Sequence, residues 1–190
     1  MDSALEKDIQ DAVKAMQQGL LIAYPTESVY GLGCDPKQPA ALEKLIQLKQ
    51  RNPEKGLILI ASRFEQLIPY LAEIDDTSAA RAKKTWPGAV TWVWPVNKES
   101  FISPLLTGQH QSIAVRVTNH PIAAALCEAF QGAIVSTSAN LEGTPPAKSA
   151  HGVRQYFSEP DQVAKIVDGV LGDLFKPTPI HDVITQAELR

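Results

Sequence analysis

The chain has 190 residues, with 18 Lys and Arg against 21 Asp and Glu for a net charge of −3, and it is 44% hydrophobic and 21% charged. This length and balance suit a single globular domain over residues 1–190, exclude a disordered or collagen-like chain, and give no bulk electrostatic reason to bind nucleic acid. No apolar run approaches the roughly 20 residues of a membrane helix, and the acidic start Met1–Asp8 lacks an apolar signal core, so a cytoplasmic protein without membrane association is expected.

At the start of the chain, Ser3 and Glu6 fit a capping box, and Leu5, Ile9, Ala12, Val13 and Met16 follow at helical spacing as far as a terminating Gly19. An apolar run over 20–24 reads as a buried strand ended by Pro25, and 25–33 as a loop of small and polar residues. Helices are predicted over 40–50, 64–71 and 77–86, with a strand over 57–61 between the first two. Strands at 90–96 and 113–117 precede a helix over 122–130 that Pro121 opens. An apolar strand over 133–137, a short helix over 150–157 and strands at 165–167 and 182–185 complete the pattern. Strands and helices alternate, which predicts an α/β fold, and Trp92-Val93-Trp94 with the many short strands points to a mixed parallel and antiparallel sheet.

Neither a disulfide framework nor a cysteine metal site is indicated by Cys34 and Cys127, which stand far apart with no C-x-x-C, and His110, His120, His151 and His181 form no H-E-x-x-H pair. Chemistry is instead concentrated in four polar clusters, mostly where strands end, the usual place for ligands in open α/β sheets. Thr26, Glu27 and Ser28 follow the first strand beside Gly31 and Gly33, either as a locally bonded turn or as a binding loop. Lys49, Arg51 and Lys55 gather at a helix end, where they either complement the helix dipole or clamp phosphate and carboxylate groups. Arg116 shares a strand face with Ala114, opposite Ile113, Val115 and Val117, and must be solvated or paired. Ser136, Thr137, Ser138 and Asn140 bring hydroxyls and an amide off an apolar strand, suited to phosphate oxygens or a carbonyl. No G-x-S-x-G elbow and no P-loop is present. The four clusters together suggest a polar pocket for a small anionic ligand without identifying the reaction.

At these same positions the chain resembles the YrdC/TsaC family of threonylcarbamoyl-AMP synthases. The resemblance rests on Tyr24-Pro25-Thr26-Glu27-Ser28-Val29-Tyr30-Gly31-Leu32, Lys49-Gln50-Arg51 and Lys55-Gly56-Leu57-Ile58. It continues through Trp86-Pro87-Gly88-Ala89-Val90-Thr91, Val115-Arg116-Val117 with His120-Pro121, and Ser136-Thr137-Ser138-Ala139-Asn140. Ala89 replaces a more usual proline, a change expected to be tolerated, and Pro177-Thr178-Pro179-Ile180 is only similar to the family's Pro-Ser-Thr-Ile run. The chain ends at Arg190, without the C-terminal domain of the longer family branch.

The resemblance implies a twisted mixed sheet with a concave, positively charged cleft. It implies an enzyme that condenses L-threonine, bicarbonate and ATP to threonylcarbamoyl-AMP and pyrophosphate, with Mg²⁺ carried by ATP. Partner proteins would then pass the group to tRNA. Lys49 and Arg51, both expected at an exposed helix end, would neutralise phosphate and carboxylate charge. Thr26, Arg116 and the nearby Lys55 would bind the threonine side, and Ser136, Ser138 and Asn140 the nucleotide. Glu27 is a candidate for a metal-water or amine contact. A non-catalytic RNA-binding module, in which Lys49, Arg51, Lys55, Arg116 and Lys148 hold backbone phosphates, is the competing class. Weak RNA contact is compatible with either. A related carbamoyl-adenylate activity, as in the similar domain of hydrogenase-maturation carbamoyltransferases, is a third.

Overall fold

A computed structural model of the chain describes residues 3–190. In chain order, α1 (Ser3–Gln17), β1 (Ile22–Pro25), β2 (Tyr30–Gly33), α2 (Pro39–Lys49) and β3 (Ile58–Ala61) come first. Next are α3 (Asp76–Lys83), β4 (Thr91–Pro95), α4 (Pro104–Thr107) and β5 (Ser112–Val117). The order ends with α5 (Pro121–Phe130), β6 (Ile134–Ser138), α6 (Ala150–Tyr156), β7 (Lys165–Ile166) and β8 (Ile180–Asp182).

The periodicity of α1 is realised: Ile9, Ala12, Val13 and Met16 are buried, and the helix stops where Gly19 takes φ +74°, a left-handed conformation that glycine adopts without strain. Ser3 already lies inside this helix, so a capping position would fall outside the described residues. Pro121 opens α5 as expected, with His120 as its cap, the ring Nδ1 accepting from the Ala123 amide.

The strands form one eight-stranded sheet in the order β7-β1-β2-β6-β3-β5-β4-β8. β1 with β7, β3 with β5 and β4 with β8 run parallel, and the other neighbours run antiparallel, so the sheet is mixed. Strand alternation sends Ile22 and Tyr24, Ile60 and Ile134 to one face, where α1 and α5 cover them. It sends Ala23, Leu59, Ile113, Val115 and Val135 to the other, under α2, α4 and α6.

Three expectations are corrected, and one element is added. The segment read as a loop over 25–33 contains β2, whose Gly31 and Gly33 are poor strand formers; the pairing with β1 and β6 on either side makes the strand. The predicted helix over 64–71 is two 3₁₀ turns, Phe64–Gln66 and Ile68–Tyr70, because Pro69 cannot supply the amide an α-helix needs there. The last strand is Ile180–Asp182 rather than 182–185, since the Asp182 carboxylate accepts from the Ile184 and Thr185 amides and turns the chain. The short α4 was not anticipated. The Ala89 departure leaves its segment in place: the Gly88 amide donates to Val117 O at 2.9 Å and Trp86 Nε1 to Val90 O at 2.7 Å.

The two edges of this sheet are successive in sequence. β7 and β8 lie at opposite ends of the order, so residues 167–179 must cross its whole width, roughly 34 Å at about 4.8 Å per strand spacing. A segment of that length reaches roughly 45 Å at full extension, enough to cross as a strap with bends at Asp173, Phe175 and Lys176.

Candidate active site

The strap and the uncovered part of the α1/α5 face enclose a cavity of about 340 Å³. Its floor follows from register. Ser136 lies opposite Ile58 and Ser138 opposite Gly31, and Arg116 stands one place past Val115, so these side chains share the face that the helices leave open. Thr26, Ser28, Val29 and Gly31 form one wall from the β1–β2 turn, Arg51, Leu57 and Ile58 another, and Pro146 and Lys148 come from the loop after β6. The strap and C-terminus contribute Phe175, Lys176, Pro177, Thr178 and Arg190. Arg51, Arg116, Lys148, Lys176 and Arg190 line the cavity and, among the described residues, no Asp or Glu side chain does.

The turn that carries Thr26 is closed by Thr26 itself, whose amide and hydroxyl both donate to Val29 O, at 3.0 and 2.7 Å. Arg116 is neither solvated nor alone. It is 5% exposed, its Nη2 donates to Glu27 Oε2 at 3.2 Å, and its Nη1 donates to Thr91 and Thr178 hydroxyls at 3.2 and 3.1 Å. Its Nε, also buried, has no acceptor among the described residues. Glu27 therefore does not have the free carboxylate expected of it: Thr118 Oγ1 donates to its other oxygen at 2.6 Å, so both oxygens are engaged. A buried guanidinium is tolerable only beside such a partner.

The strap is pinned to this pair. The Gly172 amide donates to Thr26 O at 3.0 Å and the Leu174 amide to Glu27 O at 3.1 Å. A Cβ on Gly172 would meet Glu27 backbone atoms at 2.8 and 2.9 Å, so only glycine lets the two chains approach this closely. Further along, the Tyr30 hydroxyl donates to Gly169 O at 2.9 Å, and Val170 O lies 3.0 Å from His120 Nε2.

The exposed clamp expected of Lys49 is also corrected. Lys49 is 3% exposed and does not line the cavity, because the last turn of α2 packs behind the loop after β6. Its ammonium donates to Ser138 O, to Asn140 O at 2.9 Å and to Asn140 Oδ1 at 3.1 Å, which uses its three hydrogens. Asn140 is likewise turned inward: Oδ1 also accepts from Ser138 Oγ at 2.6 Å, and Nδ2 donates to Leu141 O and Thr144 O. Lys55 lies outside the cavity, exposed and ion-paired with Glu142. Of the residues singled out in the sequence, Thr26, Arg51, Arg116, Ser136 and Ser138 meet at the cavity, whereas Lys49 and Asn140 brace its rim. Lys176 and Arg190 carried no pattern that marked them, Lys148 was noted only as an RNA contact, and Thr178 lies in the segment whose role the sequence left open.

The cations tune one another. Burial lowers the Arg190 guanidinium from its usual value, and repulsion from Arg116 and Arg51 lowers it further. Burial, then repulsion from Arg51, lowers Lys49 from 10.5 to about 8, with Glu142 pulling it up. Because this folded value lies below the unfolded one, Lys49 adds stability as the pH rises from about 8 towards 10.5, where the unfolded chain binds the extra proton. The ammonium that braces Ser138 and Asn140 is lost over the same window. The expected result is a turnover rate that falls with a midpoint near pH 8 while the fold does not weaken through this group. Lys49→Arg, which keeps its charge, should remove the fall; a pH–rate profile identical in that variant would assign the titration elsewhere.

No group of three or more His, Cys, Asp or Glu is placed to hold a metal among the described residues, and no described helix is long and apolar enough to cross a membrane.

A protein named threonylcarbamoyl-AMP synthase from Chromohalobacter salexigens is 50% identical over 182 residues, 96% of each chain. Another of the same name from Photobacterium profundum is 49% identical over 185 residues, 96% of this chain and 98% of its own. The crystal structure of P. abyssi Sua5 complexed with L-threonine superposes with a TM-score of 0.86 at 32% identity, covering 95% of this chain and 52% of that one, so the present chain spans about half of the P. abyssi protein. The Sua5/YciO/YrdC family model, described as telomere recombination, matches residues 14–189, and with such identities over nearly the whole chain, this protein belongs to the Sua5/YciO/YrdC family.

Proposed function

We propose that this protein is a threonylcarbamoyl-AMP synthase, a nucleotidyltransferase of the cytoplasm that acts as one domain over residues 1–190. The observation that carries this reading is the convergence of Arg51, Arg116, Lys148, Lys176 and Arg190, with Thr26, Ser136 and Ser138, on a cavity that no described Asp or Glu side chain lines. That is a site for a ligand with several negative charges, and its size suits a small molecule. The shared name of the bacterial relatives favours an enzyme over a non-catalytic RNA-binding module.

The reaction needs no covalent protein intermediate. The amine of L-threonine adds to bicarbonate with loss of water, giving N-carboxythreonine. Its new carboxylate oxygen attacks the α-phosphorus of ATP, and the bond to the β-phosphate oxygen breaks to release pyrophosphate. Two anions must approach each other, so the protein's task is orientation and charge neutralisation. Arg116, held rigid by Glu27, and Thr26 bind the threonine side. Arg51, which spends its Nε and Nη2 on Gly56 O at 3.2 and 3.0 Å, keeps further N–H donors for phosphate or carboxylate oxygens. Ser136 donates to the nucleotide and Ser138 lines the cavity beside it, its own hydroxyl hydrogen given to Asn140 Oδ1, while Lys49 and Asn140 hold the Ser138 loop in place. Mg²⁺ enters as part of the nucleotide substrate, on its phosphates; Glu27, with both oxygens engaged, is not a ligand for it. Partner proteins that transfer the product to tRNA, with weak RNA contact of this chain's own, complete the reading.

The deciding experiment is pyrophosphate release from ATP with bicarbonate and Mg²⁺, comparing L-threonine, L-serine and no amino acid. Release that requires threonine is the expected result. Release without an amino acid that depends on an added carbamoyl donor would favour the carbamoyl-adenylate chemistry, and none from a folded sample would leave the synthase reading without support.

A further inference from the structure

Phe175 is 98% exposed, yet it lines the cavity, and among the described lining residues it is the only aromatic. Such a ring on a floppy loop would carry little meaning. Here the chain is tethered on both sides: the Leu174 amide donates to Glu27 O at 3.1 Å, and the Thr178 side chain accepts from Arg116 Nη1 at 3.1 Å. The fold thus places Phe175 in the cavity lining while its side chain stays almost fully exposed. The cationic lining satisfies phosphates and a carboxylate, and apart from the guanidinium planes of its arginines the only flat face it presents to a purine is the Phe175 ring. Apolar surface in the cavity comes from Val29, Leu57, Ile58, Pro146 and Pro177, with Phe175 as the one aromatic ring among the described lining residues.

We propose that Phe175 is the stacking platform for the nucleobase of the substrate nucleotide, a binding residue whose ring becomes covered when the nucleotide occupies the cavity. This rests on the synthase reading of the same cavity. It deepens that reading by dividing the nucleotide between two parts of the lining, the phosphates on the arginines and lysines and the base on a ring supplied by the strap. Stacking of one base on an aromatic side chain corresponds to about 10- to 100-fold in affinity. The contact is made equally in ground and transition states, so its loss appears in KM rather than in kcat.

Titration calorimetry of the full chain with ATP and with inorganic tripolyphosphate, which has the charges and no base, separates the two parts. Phe175→Ala should weaken ATP about 10- to 100-fold, leave tripolyphosphate unchanged, and raise KM for ATP at constant kcat; Phe175→Trp should restore ATP binding. Full exposure of the ring means that neither substitution threatens the fold. Unchanged ATP affinity in Phe175→Ala, or equal losses for ATP and tripolyphosphate, would overturn the stacking assignment while leaving a wild-type synthase intact. A wild-type chain that binds neither probe would overturn the synthase reading and this inference together.

Discussion

Arg116→Ala is expected to lower the stability of the fold by about 3–5 kcal/mol, because it leaves the Glu27 carboxylate buried with one hydroxyl donor in place of an ion pair. Against a typical total of about 5–15 kcal/mol this is severe, and it corresponds to a fall of roughly 10 °C in Tm for a chain of this size. The strap loosens as well, since the Thr178 hydroxyl loses its donor. The double variant Glu27→Leu with Arg116→Met removes both charges at similar volume. It should recover much of the stability while restoring none of the activity, which separates the guanidinium's structural task from its task toward substrate. Thermal and denaturant unfolding of the single and double variants read this directly. A stable Arg116→Ala protein would mean that water reaches Glu27 and the pair is not the hub described here.

Arg51→Ala should behave in the opposite way. Its guanidinium is half-buried at the cavity wall and its protein contacts are two N–H donors to one carbonyl oxygen, Gly56 O. Stability should change by only about 1 kcal/mol, whereas the rate should fall on the order of 10²-fold or more if the group neutralises charge as the α-phosphorus is attacked. Steady-state pyrophosphate release by a sample with wild-type Tm is the measurement. Unimpaired turnover would remove Arg51 from the charge-neutralising set and pass the task to Lys148, Lys176 and Arg190. The contrast between the two arginines comes from burial: one is part of the core's electrostatics, the other stands at its edge.

Much of the site was legible in local pattern. Alternation in Ile113-Ala114-Val115-Arg116-Val117 already set Arg116 on the face opposite the core, and Ser136-Thr137-Ser138 already read as hydroxyls leaving a buried strand. The periodic helices α1, α2 and α5 and the strands β1, β3, β5 and β6 were equally readable, because each has a strong apolar period of its own and needs no distant partner to declare it. The resemblance to the synthase family rested on the same short motifs. What local pattern cannot carry is pairing across the chain. Glu27 and Arg116 meet across 89 positions, and nothing in either neighbourhood announces the other. Lys49 looks like any cation at a helix end; it is buried only because the loop after β6 closes over it with three acceptors. β2 is a strand because its neighbours supply the hydrogen bonds that Gly31 and Gly33 would not seek alone. The strap, with Phe175, Lys176, Thr178 and the adjoining Arg190, belongs to the site because β7 and β8 occupy opposite edges of one sheet, so the chain between them has nowhere to run but across the open face. The sequence by itself determined the fold class, the family and the cavity's floor, since those depend on short-range periodicity and motif. Only the tertiary structure decided which cations face the ligand and which are spent on the frame, because burial and ion pairing are properties of residues that the sheet topology brings together.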